Sequence, residues 1–112
     1  MEIFKFLEDS SFIRFFEIKE FFNINEARYY KISIFFVDES QLHAREYIDR
    51  EERNYAFHWQ DKDNNLIIRW DNAPHHNHIK TFPHHLHTGE TILESEPVNL
   101  EDVVMHIKSI IQ

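Results

Sequence analysis

Residues 54–72, "NYAFHWQDKDNNLIIRWDN", set two runs of alternating apolar and polar residues on either side of a polar "DKDNN". A period of two marks a strand with one buried face, because successive side chains of a pleated chain point to opposite sides. Asp and Asn tolerate the positive φ of tight hairpin loops, so "DKDNN" reads as the turn between two paired strands. With Asp63-Asn64 as a two-residue turn, Trp59 faces Ile68 and Phe57 faces Trp70 on an apolar side. His58 then lies opposite Arg69, and Ala56 opposite Asp71, on the other side. A turn at Asn64-Asn65 shifts the partners and keeps the faces. A histidine, an arginine and an aspartate therefore share one polar face of a sheet. The same "DKDNN" begins like a calcium loop, but such a loop needs Gly where Leu66 stands and Glu where Asn72 stands.

Neighbouring segments extend the pattern. "EARYYKISIFFVDES" is rich in β-branched and aromatic residues and predicts a strand from about Arg28 to Val37. "FIRFFEIKEFF" repeats apolar pairs at near-helical spacing yet has strand composition, and is read as a strand turning at "NIN". "LHAREYID" predicts another strand, with His43, Arg45 and Tyr47 on one face and Leu42, Ala44 and Glu46 on the other. At the C-terminus Leu100, Val103, Val104, Ile107 and Ile111 fall at helical spacing behind an Asn99 cap, with His106 on the solvated face. The expected architecture is one α+β domain over residues 1–112: an antiparallel β-meander of about five strands with a C-terminal amphipathic helix packed on it.

Composition removes several classes of chemistry. Cysteine is absent, which excludes disulfides, thiolate metal sites and a cysteine nucleophile, and fits a reducing compartment. Gly89 is the single glycine, so phosphate-cradling loops of the Walker or dinucleotide type, and a serine nucleophile elbow, have no backbone to build them. The N-terminus lacks the regions of a signal peptide and no apolar run spans a bilayer, so a soluble cytoplasmic protein without membrane contact is expected. Charge is unevenly spread: net −5 over residues 1–65, +1 over 66–88 and −4 over 89–112, which total the −8 of the chain.

That one non-acidic stretch holds "RWDNAPHHNHIKTFPHHLH", with six of the nine histidines. "PHHNH" begins at Pro74 and "PHHLH" at Pro83. Proline fixes φ and lacks a donor, so each box starts from irregular backbone beside the sheet. Three readings compete. The histidines are simply solvated; or pairs two residues apart, His76 with His78 or His85 with His87, ligate Zn, Ni or Cu; or they cleave a phosphodiester. Metal-free RNA cleavage needs a base for the 2′-hydroxyl, an acid for the leaving 5′-oxygen and a cation at the phosphate. Two imidazoles and Arg69 would supply these, with Asp71 orienting one ring or, alternatively, capping the strand end. That mechanism calls for neither cofactor nor metal, and His58, Lys80 and Trp70 are the candidate RNA contacts beside it.

The run Arg69-Trp70-Asp71-Asn72-Ala73-Pro74-His75-His76, followed by Phe82-Pro83-His84-His85 and His87, resembles the TumE family of toxins from prokaryotic toxin-antitoxin pairs. The resemblance is strongest over residues 42–112. It implies a cytoplasmic toxin neutralised by a cognate antitoxin encoded beside it, usually bearing a helix-turn-helix domain. By analogy with other small toxins built of an antiparallel sheet plus helices, it implies an RNA substrate. Catalytic weight then falls on His75, His76, His84, His85 and His87, while His78 lies outside the motif. A homo-oligomer is compatible with the sequence, and a metal-dependent nuclease or a non-catalytic partner-binding module are the other functions it allows.

Overall fold

In a computed structural model, which describes residues 2–8 and 10–111, the alternating segments pair into one antiparallel sheet. Its strands are β1 (Ile13–Ile24), β2 (Ala27–Phe36), β3 (Gln41–Ile48), β4 (Arg53–Gln60), β5 (Leu66–Asp71), β6 (His85–Thr88) and β7 (Thr91–Glu94). They lie side by side in chain order, a pure meander. A 3₁₀ helix (Glu2–Leu7) and a C-terminal helix α1 (Leu100–Ile111) complete the fold.

The sheet packs its hydrophobic core on one face. Ile32, Ile34, Leu42, Phe57 and Trp59 project from β2, β3 and β4 into a core closed by Leu100, Val103, Val104 and Ile107 of α1 and by Phe4 and Leu7 of the 3₁₀ helix. A helix as short as α1 is marginal alone. Four buried aliphatic side chains, each worth roughly 1.5–3 kcal/mol, hold it down. Asn99 caps it as expected: its Oδ1 accepts the Asp102 N–H at 2.8 Å, and Asp102 Oδ2 accepts the Asn99 N–H at 3.0 Å. On β3 the expected inward set, Leu42, Ala44 and Glu46, is buried. Glu46 is balanced there by the Arg53 guanidinium and the Tyr30 hydroxyl. Among the described residues no helix is long and apolar enough to cross a membrane.

The class is the expected one, with differences in detail. Seven strands form where about five were expected. "FIRFFEIKEFF" is a strand, but it turns one step later than "NIN", at Asn25-Glu26, where both residues take positive φ (50° and 70°) and Ile24 pairs with Ala27. The β4–β5 turn is neither two-residue version. Asp61 N–H donates to the Asn65 carbonyl at 2.9 Å, and the Asp61 carboxylate accepts the N–H groups of Asp63 and Asn65. Asn64 takes the left-handed φ of 67°. This wider loop is offset by a bulge between Trp59 and Gln60, so Trp59–Ile68, Phe57–Trp70, His58–Arg69 and Ala56–Asp71 still face one another. Part of the second histidine box is strand, not loop. His85–Thr88 alternate and hairpin back through Gly89-Glu90, with the glycine at φ 58° in the first turn position.

Candidate active site

Strand alternation sorts the tail of β5. Trp70 turns inward, 5% exposed and edge-on to His106 of α1, while Arg69 and Asp71 turn to the uncovered face. Trp70 is therefore core, one residue out of phase with Arg69. His106, expected to be merely solvated, is exposed yet rests against that indole.

Register then brings the polar groups together. Arg69 has His58 opposite it on β4 and His87 opposite it on β6, and Asp71 faces His85. Asp71 is 6% exposed and its carboxylate gathers four donors. Oδ1 accepts the Ala73 N–H at 3.0 Å and has His85 Nε2 at 2.8 Å. Oδ2 accepts Arg69 Nε at 3.1 Å, with His87 Nε2 at 3.4 Å. It stands in contact with two rings and a guanidinium at once.

The chain leaves β5 under control. Asn72 accepts the Tyr55 N–H at 3.0 Å and donates Nδ2 to the Arg53 carbonyl at 2.7 Å, continuing the ladder by side chain after the backbone departs. At the far end Thr81 donates its hydroxyl to the His84 carbonyl at 2.7 Å and accepts the Ser95 N–H. Between these anchors the segment bends so that the His76 ring comes to 4.9 Å from His85 and 5.7 Å from His87, centroid to centroid. His85 and His87 are 4.8 Å apart. One histidine from the first box thus joins two from the second.

The other expected site residues stand apart. His84 stacks on Tyr55 and shares a 2.8 Å hydrogen bond with its hydroxyl, on the core side of β4. His75 and Lys80 are exposed, with no ring or ion-pair contact to the cluster among the described residues. His78 touches only the outer edge of His76, at 6.1 Å.

Each ring's environment limits its chemistry. His58 Nδ1 accepts from Arg69 Nη1 at 3.3 Å, and burial followed by the Arg69 charge and His43 holds its pKa below the ordinary value. His87 is lowered chiefly by burial, against the opposing pull of Asp71, so it is neutral near pH 7. His85 is 2% exposed and both its nitrogens face oxygen acceptors, Asp71 Oδ1 and the Pro83 carbonyl at 2.8 Å.

A metal is the other group this trio could hold. One ligand nitrogen each from His76, His85 and His87 lie within 4.8 Å of one another. Tetrahedral zinc at ~2.0–2.1 Å from nitrogen would draw such atoms to ~3.4 Å. His85 would also have to release Asp71 or Pro83. The residue types fit, but the spacing needs contraction.

The sequence reading missed Lys19, Lys31, His43 and Arg45, which line a groove of about 540 Å³ running up to His58 and Arg69. Their signal was available: Lys31 and Ser33 on β2, and His43 and Arg45 on β3, are each two residues apart and so share a face.

Comparison with curated proteins and with solved structures finds no match. The family model for toxin TumE matches residues 3–112, nearly the whole chain and well beyond the stretch that carries the histidine motif. The chain belongs to the TumE family of toxins.

Proposed function

We propose that this toxin is a metal-independent endoribonuclease acting in the cytoplasm. His87 Nδ1 removes the proton of a ribose 2′-hydroxyl, O2′ attacks phosphorus, and His76 donates a proton to O5′ as the P–O5′ bond breaks. The products are a 2′,3′-cyclic phosphate and a 5′-hydroxyl. Arg69, flanked by imidazoles on both neighbouring strands, takes the phosphate charge through the guanidinium edge that Asp71 does not occupy. Asp71 accepts the proton side of His87 and so presents the lone pair of the other nitrogen. His85 fixes Asp71. The observation that carries this reading is the continuous contact His87–Asp71–Arg69 with His76 set over it.

Each proton transfer is worth typically ~10²–10⁴ in rate. His76→Ala and His87→Ala, made singly, are expected to lift growth arrest at undiminished levels of folded toxin, whereas His75→Ala and His84→Ala keep it. Full toxicity in both of the first pair would end the proposal. The three-ring cluster supports a second reading, a metal-activated water, and chelation separates the two. With EDTA the imidazole mechanism continues and yields a cyclic phosphate; activity lost to EDTA and restored by zinc belongs to the metal.

A toxin of this family calls for an antitoxin, and the same proposal gives it a basic segment for the acidic surfaces of a chain carrying net −8. A helix-turn-helix protein encoded next to the toxin is the expected partner. Co-expression followed by copurification tests it.

A further inference from the structure

The uncovered face continues past Arg69 towards β1. Along β2 it carries Tyr29, Lys31, the buried Ser33 and Phe35, and along β3 His43, Arg45 and Tyr47. Pairing makes a row, Ser33–His43–His58–Arg69–His87, that crosses five strands and ends in the site. Ser33 Oγ and His43 Nδ1 lie 2.8 Å apart, and His43 Nε2 donates to Gln41 at 3.1 Å, so this ring is fixed. In the adjacent row Lys31 stands directly opposite Arg45. Like charges facing each other across two strands are destabilising. A chain with net −8 has acids to spare, yet among the described residues no carboxylate lines the groove these cations share with Lys19 and Arg69. Asp71 holds Arg69 at the β5 end, and on β1 Glu20 stands opposite Lys31 and Glu17 opposite Ser33, where Glu17 meets Lys19 at 3.5 Å.

Aromatic rings bound this strip at both ends. Phe15 stacks on Phe35 at 4.4 Å and Phe22 on Tyr29 at 5.6 Å, and Phe15 and Phe22 remain 47% and 40% exposed. From Tyr29 to Phe35 the strand rises ~3.3 Å per residue, so the platforms stand ~20 Å apart with the cations between them. A cationic groove bracketed by exposed rings is the chemistry that holds unpaired nucleotides: charge follows the phosphates and rings stack on bases of any sequence. A duplex would hide the bases these rings need.

We infer that this groove is a binding track for single-stranded RNA, leading the strand across β2 and β3 to the phosphate at Arg69; the inference rests on the ribonuclease reading. The test uses a fluorescent, fully 2′-O-methylated single strand of about 12 nucleotides, which has no free 2′-hydroxyl to react, in an anisotropy titration across salt concentrations. For single strands log K falls with log salt at about −0.7 per neutralised phosphate. Lys31→Gln with Arg45→Gln is expected to make that slope shallower by about 1.4 and to weaken low-salt binding about 10-fold or more. Phe22→Ala weakens binding without changing the slope. Arg50→Gln, an equal charge loss at an exposed turn, changes neither. Unchanged affinity and slope in the Lys31/Arg45 variant, or equal binding of the duplexed probe, overturns the inference. So does a Lys31/Arg45 variant that keeps the probe but loses the antitoxin, which would make the groove a protein interface. His87→Gln separates the two ideas: a variant that binds the probe but no longer cleaves RNA supports the track, while failure of the cleavage chemistry leaves the binding result standing.

Discussion

Asp71 concentrates the chemistry of the site at one carboxylate. It is buried, holds Arg69 and His85 directly, and has His87 within 3.4 Å. Asp71→Asn keeps the shape but turns an N–H₂ towards groups that donate. RNA cleavage is expected to fall by about 10²-fold or more, and urea unfolding to show a loss of about 1–3 kcal/mol for the unpaired buried donors. Nearby rings set a pH response. His43, His58 and His84 all have pKa values lowered, in each case first by burial and then by neighbouring cations. The unfolded chain therefore binds more protons than the folded one below about pH 6.5, and stability is lost as pH falls through that value. Melting temperature is expected to be flat above pH 7 and to drop between about pH 6.5 and 5, with His58→Gln reducing the drop. A melt that rises on acidification would contradict these assignments. That Arg69, Asp71 and His58 share a face was legible in the sequence. Which imidazoles join them was not, because His76, His84 and His85 differ in role while looking alike in a box of repeated letters.

At the scale of elements, β6 does what no loop could. By alternating, it presents His85 and His87 to β5 and sends Leu86 to the core side, while the first box stays irregular and hands over His76 alone. Proline at the head of each box drew both towards loop. Pro83 precedes the strand, where a missing donor costs nothing. Asn72 sets the path of the intervening segment through two buried bonds to β4. Asn72→Ala removes both and leaves the Tyr55 N–H without a partner. The expected cost is about 1–3 kcal/mol in chemical unfolding, with cleavage reduced further as His76 loses its place over β6. A variant of parent stability would show that the loop is held elsewhere. The β4–β5 hairpin shows the reverse case. Its turn differs from both expected versions, yet the strand register is the expected one, because the bulge beside Gln60 compensates for the wider loop. Burial of Phe57, Trp59 and Trp70 fixes that register, and the turn adjusts to it.

For the whole molecule, about 21 Å through its thinnest dimension, the decisive property is a sheet with both helices on one side. Helices and core occupy one face; cations, imidazoles and exposed rings occupy the other. Hydrogen exchange is expected to be slowest in β3, β4 and β5, paired on both sides, and fastest in the four-residue edge strand β7. Protection as strong in β7 as in β4 would mean that another chain covers that edge. A net charge of −8 hides the local arrangement: Lys19, Lys31, Arg45 and Arg69 line one groove on an acidic protein. The sequence by itself determined the antiparallel class, the C-terminal helix with its cap, and the face to which each residue of β3, β4 and β5 points. Those follow from periods of two and 3.6 residues, which any short stretch of chain expresses. Only the tertiary structure decided that His76, His85 and His87 meet while His75 and His84 do not, and that Lys31 and Arg45 share a groove with Arg69. Such meetings depend on strand order and on the route of the loop between β5 and β6, which are set by burial and register across the whole sheet.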